Sequence, residues 1–348
     1  MGGFFFFGLI TFVIMKDLQF SFIIPVFNRP NEIKELLESF INLEGNTDYE
    51  IVIAEDGSTE TSEAVINTFK DQLQISYYFK SNSGPGDSRN YGMQKAKGNY
   101  FIILDSDVIL PSNYLKEVIM FLSNSYYDCF GGPDAAHSSF TDLQKAINFA
   151  MTSFITTGGI RGGKQQVNDF QPRSFNMGMS KDAFLASGGF GKIHPGEDPD
   201  LSLRLHKLGF KTTLIETAFV YHKRRISWSK FYKQVHKFGM VRPILNQWHP
   251  KSKSLVYWFP TLFSFGFIVS VILLFLNIPQ AIFIYLVYFT IAFVVALLSN
   301  KNITVAIQAM LAILIQFFGY GFGFIKSTFN LIVLRKNPED AFPHLFFK

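Results

Sequence analysis

The sequence predicts an α/β domain of alternating strands and helices, followed by a block of membrane helices. Between residues 20 and 104, short runs rich in β-branched and aromatic residues alternate with segments of helical spacing. That alternation is typical of a parallel sheet with right-handed crossovers. After residue 254 the chain is dominated by apolar segments of roughly 20 residues, the length that spans a bilayer. Only 17% of the 348 residues are charged, against about 25% in a typical soluble domain, so an all-soluble protein is not expected.

Residues 1–15 form an apolar N-terminal extension that contains four consecutive Phe. The stretch is too short for a spanning helix, and it lacks the basic start and the cleavage site of a signal peptide. Met15 is followed directly by a polar pair, so we interpret Met15 as a candidate start and residues 1–14 as an upstream extension. A short interfacial anchor is the alternative.

We assign residues 16–222 to a catalytic domain that opens with a buried strand at Phe20–Val26, because this run is almost continuously apolar. The remaining predicted elements, in chain order, are a helix over 31–43, a strand at Glu50–Ala54, a helix around 65–69, a strand at Ile75–Phe79, a helix near Ser88–Ala96 and a strand at Tyr100–Leu104. Ligands of open parallel sheets bind beyond the carboxyl ends of the strands. We therefore expect the polar residues that follow these strands to meet in one crevice.

Residues 223–254 are predicted to form a basic juxtamembrane segment. Nine Lys and Arg fall within 223–253, and no Asp or Glu occurs between Glu216 and Glu339. A solvated basic face would have the same composition, but the position directly before the apolar block favours a membrane-facing role. We expect no nucleic-acid partner.

Residues 255–325 are predicted to form the membrane block, and residues 326–348 a tail. Three segments, Leu255–Leu276, Ala281–Leu298 and Ile303–Ile325, lack charged residues and lack a polar stripe. Positive charges before the first segment, in the second turn and in the tail all favour the cytoplasm, which three crossings cannot satisfy. The third segment therefore crosses against the charge rule, or it is re-entrant or interfacial. We expect a multi-pass protein of the cell inner membrane with a cytoplasmic catalytic domain.

Two classes of site are excluded by composition and spacing. The single cysteine, Cys129, cannot form an internal disulfide or a multi-cysteine metal site. Gly84-Pro85-Gly86 begins like the dinucleotide-binding pattern, but Arg89 occupies its sixth position and the motif follows the third strand rather than the first. A nicotinamide-dependent enzyme is therefore not expected.

Asp105 and Asp107 directly follow the fourth predicted strand and are candidate ligands of a divalent cation. Carboxylate oxygens suit Mg²⁺ or Mn²⁺, and such an ion can hold a diphosphate. A polar turn would give the same two residues. The buried strand before them and the polar ends of the neighbouring strands favour the cation site.

Several other candidates also have a purely structural interpretation. Asp56 precedes Gly and Ser, a sequence typical of turns, and Arg89 alone could be an ordinary helix residue. Asp198 is predicted to cap a helix whose first residue is Pro199. His222 could be a partly buried surface histidine. A capping carboxylate can also be catalytic, because it keeps free lone pairs at the helix end.

Taken together, these motifs resemble the inverting glycosyltransferases of family 2, which have the GT-A fold. The matching segments, in chain order, are Pro25-Val26-Phe27-Asn28, Glu55-Asp56-Gly57-Ser58, Asn82 to Gly92, Asp105-Ser106-Asp107, the pair Phe175-Asn176-Met177-Gly178 and Gly188-Gly189-Phe190, and Glu197-Asp198. The order covers most of residues 20–240. The chain departs from the family pattern at Glu55, where Asp is usual, and at Ser88, where Ala is usual.

The resemblance implies roles for individual residues. Asp198 matches the general base, Asp56 matches the residue that contacts the nucleotide base, and Asp107 matches a direct metal ligand. The full assignment is Asp198 for catalysis, Pro25, Asn28, Asp56, Arg89 and Asp105 for donor binding, Gly178 and Glu197 for the acceptor side, and Asp107, Asp105 and His222 for the metal. The metal role of His222 is the weakest transfer.

The function that the resemblance implies is metal-dependent, inverting transfer of a sugar from a nucleotide diphosphate sugar, expected to be UDP-linked. The cofactor would be Mg²⁺ or Mn²⁺, and the acceptor a glycan or a lipid-linked molecule in cell-surface polysaccharide synthesis. Processive members carry Q-x-x-R-W, whereas Gln234–Phe238 has Lys for Arg and Phe for Trp. This departure argues against processive synthesis.

Two alternatives stay open at this point. One is sugar transfer to a polyprenyl phosphate, and Arg161, Lys164 and Arg173 could bind an acceptor phosphate or an acidic sugar. A solvated loop would explain those three residues equally well. The other is a catalytically inactive membrane scaffold, which the presence of both Asp107 and Asp198 argues against.

Overall fold

A computed structural model describes residues 17–45, 48–135, 140–158, 170–222 and 227–347. The extension at 1–15, the candidate start Met15, and the loop residues Arg161 and Lys164 lie outside these ranges. For His222 the backbone is described and the side chain is not.

The described chain contains ten strands and thirteen α-helices, linked by turns. The strands are β1 (Phe20–Val26), β2 (Tyr49–Asp56), β3 (Ile75–Lys80), β4 (Tyr100–Leu104), β5 (Val108–Ile109), β6 (Cys129–Gly131), β7 (Asp134–Ala135), β8 (Asn176–Ser180), β9 (Thr212–Leu214) and β10 (Val220–His222). The helices are α1 (Pro30–Ile41), α2 (Glu63–Asn67), α3 (Pro85–Lys95), α4 (Tyr114–Asn124), α5 (Asp142–Thr152), α6 (Phe154–Thr157), α7 (Lys181–Ser187), α8 (Glu197–Lys207), α9 (Trp228–Trp248), α10 (Phe259–Phe275), α11 (Gln280–Asn300), α12 (Ile303–Thr328) and α13 (Pro338–Ala341). Short 3-10 or π segments occupy Pro250–Ser252, Leu255–Trp258, Phe329–Val333 and Pro343–Leu345.

A seven-stranded mixed sheet forms the core, in the order β3-β2-β1-β4-β8-β6-β9. The first four strands in that order are parallel, and β8 joins antiparallel to both β4 and β6. β1 is buried along its whole length, because helices cover both faces of a parallel sheet. The register pairs Val26 with Glu55 at the carboxyl ends of β1 and β2. The predicted parallel α/β sheet is therefore confirmed, and its polar strand ends lie at one edge.

The predicted cap of α8 is wrong. α8 begins at Glu197, and its N-cap is Gly196 with φ +118°, a backbone conformation that glycine adopts without steric cost. A Cβ at Gly196 would also lie 2.4 Å from Cγ1 of Val241. Asp198 is thus the second residue of the helix, in the first turn, where the helix dipole favours a negative charge.

Three helices in the C-terminal part are long and apolar enough to cross a membrane: Leu255–Phe275, Gln280–Asn300 and Ile303–Val333. The basic segment that precedes them is largely the helix α9, which packs along the C-terminal half of α12. His236 Nδ1 lies 3.0 Å from the carbonyl oxygen of Gly319. Helix α5 packs along the N-terminal half, where Asn302 Nδ2 donates to Asp142 Oδ1 at 3.3 Å. α12 is consequently part of the contact between the membrane block and the catalytic domain.

After α12 the chain returns to the catalytic domain. His194 N donates to the carbonyl oxygen of Leu345 at 2.7 Å, and Phe347 N donates to that of Lys192 at 3.0 Å. The Phe347 ring covers Gly84, where a Cβ would come within 2.6 Å of three ring atoms. The segment 338–347 therefore joins the loop before α8 to the loop before α3.

Candidate active site

A cavity of about 2040 Å³ opens at the carboxyl ends of the parallel strands. Its wall includes Asp56, Asp105, Asp107, Glu197 and Asp198. These residues are separated by up to 142 positions in the sequence, and the sheet brings them to one edge. The strand-end crevice predicted from the sequence is therefore present.

Asp56 is buried at the end of β2 and organises the loop before α3. Its Oδ1 accepts from Lys80 Nζ at 2.8 Å and from Ser83 N at 2.9 Å, and its Oδ2 accepts from Gly84 N at 2.9 Å. Asn82 Nδ2 donates to the Asp56 backbone oxygen at 2.8 Å. The carboxylate thus fixes the floor of the cavity, in addition to any contact it makes with a nucleotide.

Pro25 and Asn28, the two predicted donor-binding residues of the first motif, have different structural positions. Pro25 lies in β1 and lines the cavity. Asn28 adopts a left-handed conformation with φ +53°, and its Oδ1 accepts from the backbone N of Thr59 at 2.8 Å and of Glu60 at 3.0 Å. Asn28 therefore clamps the loop after β2, which is a structural role at the edge of the site.

Arg89 joins two of the acidic motifs. Its guanidinium is buried, with Nη2 2.7 Å from Asp105 Oδ1 and Nη1 3.1 Å from Glu197 Oε1. The same group lies 5.3 Å from the centre of the Phe190 ring. A buried arginine with two carboxylate partners holds its planar fork in a fixed direction. The ordinary-helix interpretation of Arg89 is thus not the one that the contacts support.

Glu197 is buried and held as an anion. Burial alone would raise the pKa of Glu197, but the hydrogen bond with His194 and the charges of His194 and Arg89 lower it to about 2. His194 Nδ1 lies 2.9 Å from Glu197 Oε1. Glu197 Oε2 has no hydrogen-bond partner within the described ranges. The residue is placed to orient Arg89.

Asp198 differs from Glu197 in its exposure, in its hydrogen bonding and in the direction of its pKa shift. It is half-buried on the cavity wall, and its Oδ2 accepts one long hydrogen bond, from Ser174 N at 3.4 Å. Burial raises the pKa of Asp198, and the charge of Glu197 raises it further, against the opposing charges of Arg173 and Arg89. A weakly bonded carboxylate with a raised pKa is suited to accept a proton.

Asp107 forms an ion pair with Arg29, whose Nη1 lies 2.5 Å from Asp107 Oδ2. Two carboxylates, Asp105 and Asp107, therefore face the cavity with hard oxygen ligands, and each is bound to an arginine. No cluster of three His, Cys, Asp or Glu capable of holding a metal occurs among the described residues. The donor set fits Mg²⁺ or Mn²⁺, because such an ion usually takes one or two carboxylates and completes its shell with water and substrate phosphate.

Two further predicted site residues, His222 and Gly178, lie in strands β10 and β8. The backbone of His222 pairs with Val108, the residue after Asp107, so β10 runs beside the acidic motif. Gly178 lies in the buried strand β8, where a Cβ would come within 1.9 Å of the Phe130 ring. Glycine is needed there for packing, and the position is inside the sheet rather than on the cavity wall.

Sequence reasoning missed four residues that complete the site: Arg29, Lys80, His194 and Phe347. Arg29 and Lys80 each follow or end a predicted strand, so their position at the strand-end edge could have identified them. His194 lies three residues before Glu197 in a loop. Phe347 gives no local signal, because its contact with Gly84 joins residues more than 260 positions apart.

The sheet order and the acidic strand-end site define the GT-A fold. A solved mannosyltransferase from Pyrobaculum calidifontis, in complex with GDP-Man and Mn²⁺, is similar in structure with a TM-score of 0.57 and 13% identity. The likeness covers 90% of this chain and 88% of that chain. Residues 21–185 match the family model of Glycosyl transferase family 2. Residues 21–185 therefore match a family 2 glycosyltransferase domain, as the motifs predicted.

Curated relatives are similar over limited segments. An uncharacterized glycosyltransferase of Rickettsia bellii is 35% identical over 114 residues, which is 33% of this chain and 16% of that protein. Chondroitin synthase of Escherichia coli is 26% identical over 235 residues, which is 58% of this chain and 34% of that protein. The chain thus spans about a third or less of the length of these relatives.

Proposed function

We propose that this protein is a metal-dependent, inverting glycosyltransferase that moves a sugar from a nucleotide diphosphate sugar to a glycan or a lipid-linked acceptor. The observation that carries the proposal is the pairing of two unlike neighbours in one cavity. Glu197 is a buried anion held by Arg89, and Asp198 is a weakly bonded carboxylate with a raised pKa. The family 2 domain supplies the reaction class.

The donor is expected to lie between the Asp56 loop and Arg89. Asp56 fixes the loop that ends at Gly84, and Arg89 presents a positive charge near the position expected for the phosphates. A UDP-linked donor follows from the resemblance of the Asp56 motif to the family pattern. Among relatives, one is named a chondroitin synthase, and the mannosyltransferase of similar fold was solved with GDP-Man.

Asp198 would act as the general base. As the acceptor hydroxyl attacks the anomeric carbon, its proton passes to the Asp198 carboxylate and the new C–O bond forms. The bond to the diphosphate breaks, and the nucleoside diphosphate leaves with the electron pair. Attack from the face opposite the leaving group inverts the anomeric centre, and Glu197 is not assigned a nucleophilic role, because Arg89 and His194 bind its Oε1 and its Oε2 is buried.

A divalent cation would be held by Asp107 and, directly or through water, by Asp105. When bound, it supplies positive charge that stabilises the departing diphosphate. Asp107 must then exchange its ion pair with Arg29, which frees the Arg29 guanidinium to contact a phosphate. Asp105 keeps Arg89 in place through the 2.7 Å contact.

We also propose how the protein lies on the membrane. α12 is flanked along its length by α5 and α9, which carry Lys145, Lys233 and Lys237. A charge at the bilayer centre costs about 2.5–3.5 kcal/mol, so α12 is placed at the surface, beneath the catalytic domain. 39% of its most apolar stretch is buried in the protein, against 11% for α11.

In this arrangement the hairpin of α10 and α11 enters the bilayer, and the tail returns to the side of the catalytic domain. The contacts of Leu345 and Phe347 with the loop at 192–194 require that side. The positive charges of the tail would then obey the charge rule, with the catalytic domain in the cytoplasm. The interfacial alternative for the third apolar segment is the one that we favour, and the role in cell-surface polysaccharide synthesis stays part of the proposal.

The proposal is tested with the purified full-length protein and a panel of UDP- and GDP-sugars, by following release of the nucleoside diphosphate. We expect turnover of one donor with Mn²⁺ or Mg²⁺, loss of turnover with EDTA, and recovery when the ion is restored. Full turnover in chelator would refute the metal role of Asp107. Absence of turnover and of binding for every donor would refute the enzymatic function and favour a scaffold.

A further inference from the structure

The cavity continues from the catalytic residues to the membrane helices without interruption. A site for one drug-sized ligand is about 300–1,000 Å³, whereas this cavity measures about 2040 Å³. Its wall runs from Asp198 to residues of α9, α10 and α12. A nucleotide sugar at the strand ends would leave the half nearest the membrane free for a second ligand.

Arg242 of α9 is a buried cation in this second half. It is 7% exposed, and its hydrogen bonds go to neutral partners, Asn246 Oδ1 at 3.0 Å and Ser252 Oγ at 2.6 Å. Its guanidinium lies 4.2 Å from the centre of the Tyr257 ring. Within the described ranges no carboxylate forms an ion pair with Arg242. A buried charge without a counter-charge is costly, so Arg242 is a candidate for binding an anion.

Arg173 places a second positive charge at the same site. It lines the cavity, and its charge acts on both Asp198 and Arg242, lowering the pKa of each. Burial is the larger cause of the lowered pKa of Arg242. Arg173 and Arg242 therefore both stand on the wall of this cavity, and a pair of guanidiniums there can bind the oxygens of a phosphate.

Beyond the arginines the cavity wall becomes apolar. Leu255 is 86% exposed, Leu262 is 65% exposed, and both line the cavity with Phe259 and Phe317. These side chains belong to helices apolar enough for a membrane. Tyr257, which stacks on Arg242, stands at the boundary between the charged and the apolar parts.

We propose that this half of the cavity binds the acceptor as a lipid phosphate, with the phosphate between Arg242 and Arg173 and the apolar chain along Leu255, Phe259 and Leu262. The inference rests on the proposed function, because it assigns the acceptor of that same reaction. The occupant has one charged end and one apolar end, as the wall does. The phosphate lies on the side of Asp198, so a hydroxyl of a group attached to it is presented to the base.

The test uses the full-length protein in detergent and native mass spectrometry with three probes: a polyprenyl phosphate, the matching polyprenol without phosphate, and phosphatidylglycerol. We expect the polyprenyl phosphate to bind at least tenfold more tightly than either of the others. Arg242→Gln and Arg173→Gln should each weaken it by about 10- to 100-fold, or about 1.4–2.8 kcal/mol. Arg242→Lys should restore part of the affinity, and Lys336→Gln, an exposed cation off the cavity, should leave it unchanged.

Nucleotide-sugar affinity, measured in parallel, separates this inference from the proposed function. Equal binding of the polyprenol would overturn the phosphate site, and equal, arginine-dependent binding of phosphatidylglycerol would assign it to bulk lipid. Loss of nucleotide affinity in Arg173→Gln, with lipid binding intact, would assign that arginine to the donor. Arg242→Gln also removes hydrogen bonds within the fold and could destabilise the protein. Arg173 is half-exposed, so Arg173→Gln tests the phosphate site without that complication. Wild-type protein that binds the lipid phosphate but no nucleotide sugar would refute the proposed function alone.

Discussion

Replacing Asp198 with Asn removes the proposed general base and keeps the size of the side chain. Such a base typically contributes about 10²–10⁴-fold to the rate, which corresponds to about 2.7–5.4 kcal/mol at 1.36 kcal/mol per tenfold. Asp198→Asn should therefore lose most of its transfer rate. Donor affinity should stay near that of the wild type, because Asp56 and Arg89 are untouched.

Asp198→Asn is expected to change the stability of the fold only slightly, and the change can be an increase. The carboxylate accepts one hydrogen bond at 3.4 Å, and its place in the first helical turn is worth about 0.3–1 kcal/mol. Because the folded state raises the pKa of Asp198, stability falls as the pH rises from the unfolded value through the folded one. Ionised Asp198 thus opposes folding at neutral pH, and Asn removes that cost. The melting temperature should be unchanged or higher.

Glu197→Gln is the matched control on the neighbouring residue. The pKa of Glu197 is lowered to about 2, so its stabilising contribution is complete above the unfolded value and is lost as the pH falls towards 2. Breaking one partner of a buried ion pair typically costs about 3–5 kcal/mol. Glu197→Gln should therefore lower the melting temperature, whereas Asp198→Asn should not.

The assay measures donor affinity by titration calorimetry, the melting temperature, and the rate of nucleoside diphosphate release with acceptor on the same purified variants. Asp198→Asn with wild-type turnover would leave Asp198 as a helix residue and would require another base. A rate loss together with a lower melting temperature would also refute the reasoning, because the loss would then follow from a damaged fold and not from the missing base. The raised pKa also predicts that the wild-type rate falls on acidification, with a midpoint above the ordinary value of Asp.

Three further predictions concern the outer parts of the protein. Phe347→Ala should weaken donor affinity, because the ring packs on Gly84 beside the Asp56 carboxylate; titration with the exposed-surface variant Met120→Ala as control checks this, and equal affinities would refute it. The full-length protein should stay in the membrane pellet after carbonate washing, and recovery in the supernatant without detergent would contradict insertion of the α10–α11 hairpin. Deleting residues 1–14 should leave the turnover and the membrane attachment unchanged, and a loss of either would make that stretch a functional anchor.

The sheet and the acidic motifs could be predicted because both depend on local patterns. The run Phe20–Val26 and the carboxylates after the fourth strand are each visible in a few adjacent residues. In a parallel sheet the strand ends necessarily share one edge, so local patterns were enough to predict that Asp56 and Asp107 would meet.

The cap of α8 was predicted wrongly because Asp198-Pro199 is a sequence typical of a helix start. The observed start depends instead on the backbone conformation of Gly196. Gly196 adopts φ +118°, which lets the helix begin at Glu197, two residues earlier than the proline suggests. The proposed roles of Arg242 and Phe347 could not be predicted from the sequence, for another reason. Each depends on where the C-terminal helices pack against the catalytic domain, and apolar periodicity indicates only that such helices exist.

The most direct test of the central claim is the anomeric configuration of the product, read from ¹H NMR coupling constants during transfer from an α-linked nucleotide sugar. Asp198 is the carboxylate that we propose as the base, and Arg89 and His194 bind Oε1 of its neighbour Glu197. Direct displacement with a single base predicts a β-linked product from the first turnover. An α-linked product would mean that the configuration is retained, which direct displacement from the opposite face cannot give, and would contradict the mechanism proposed for this cavity.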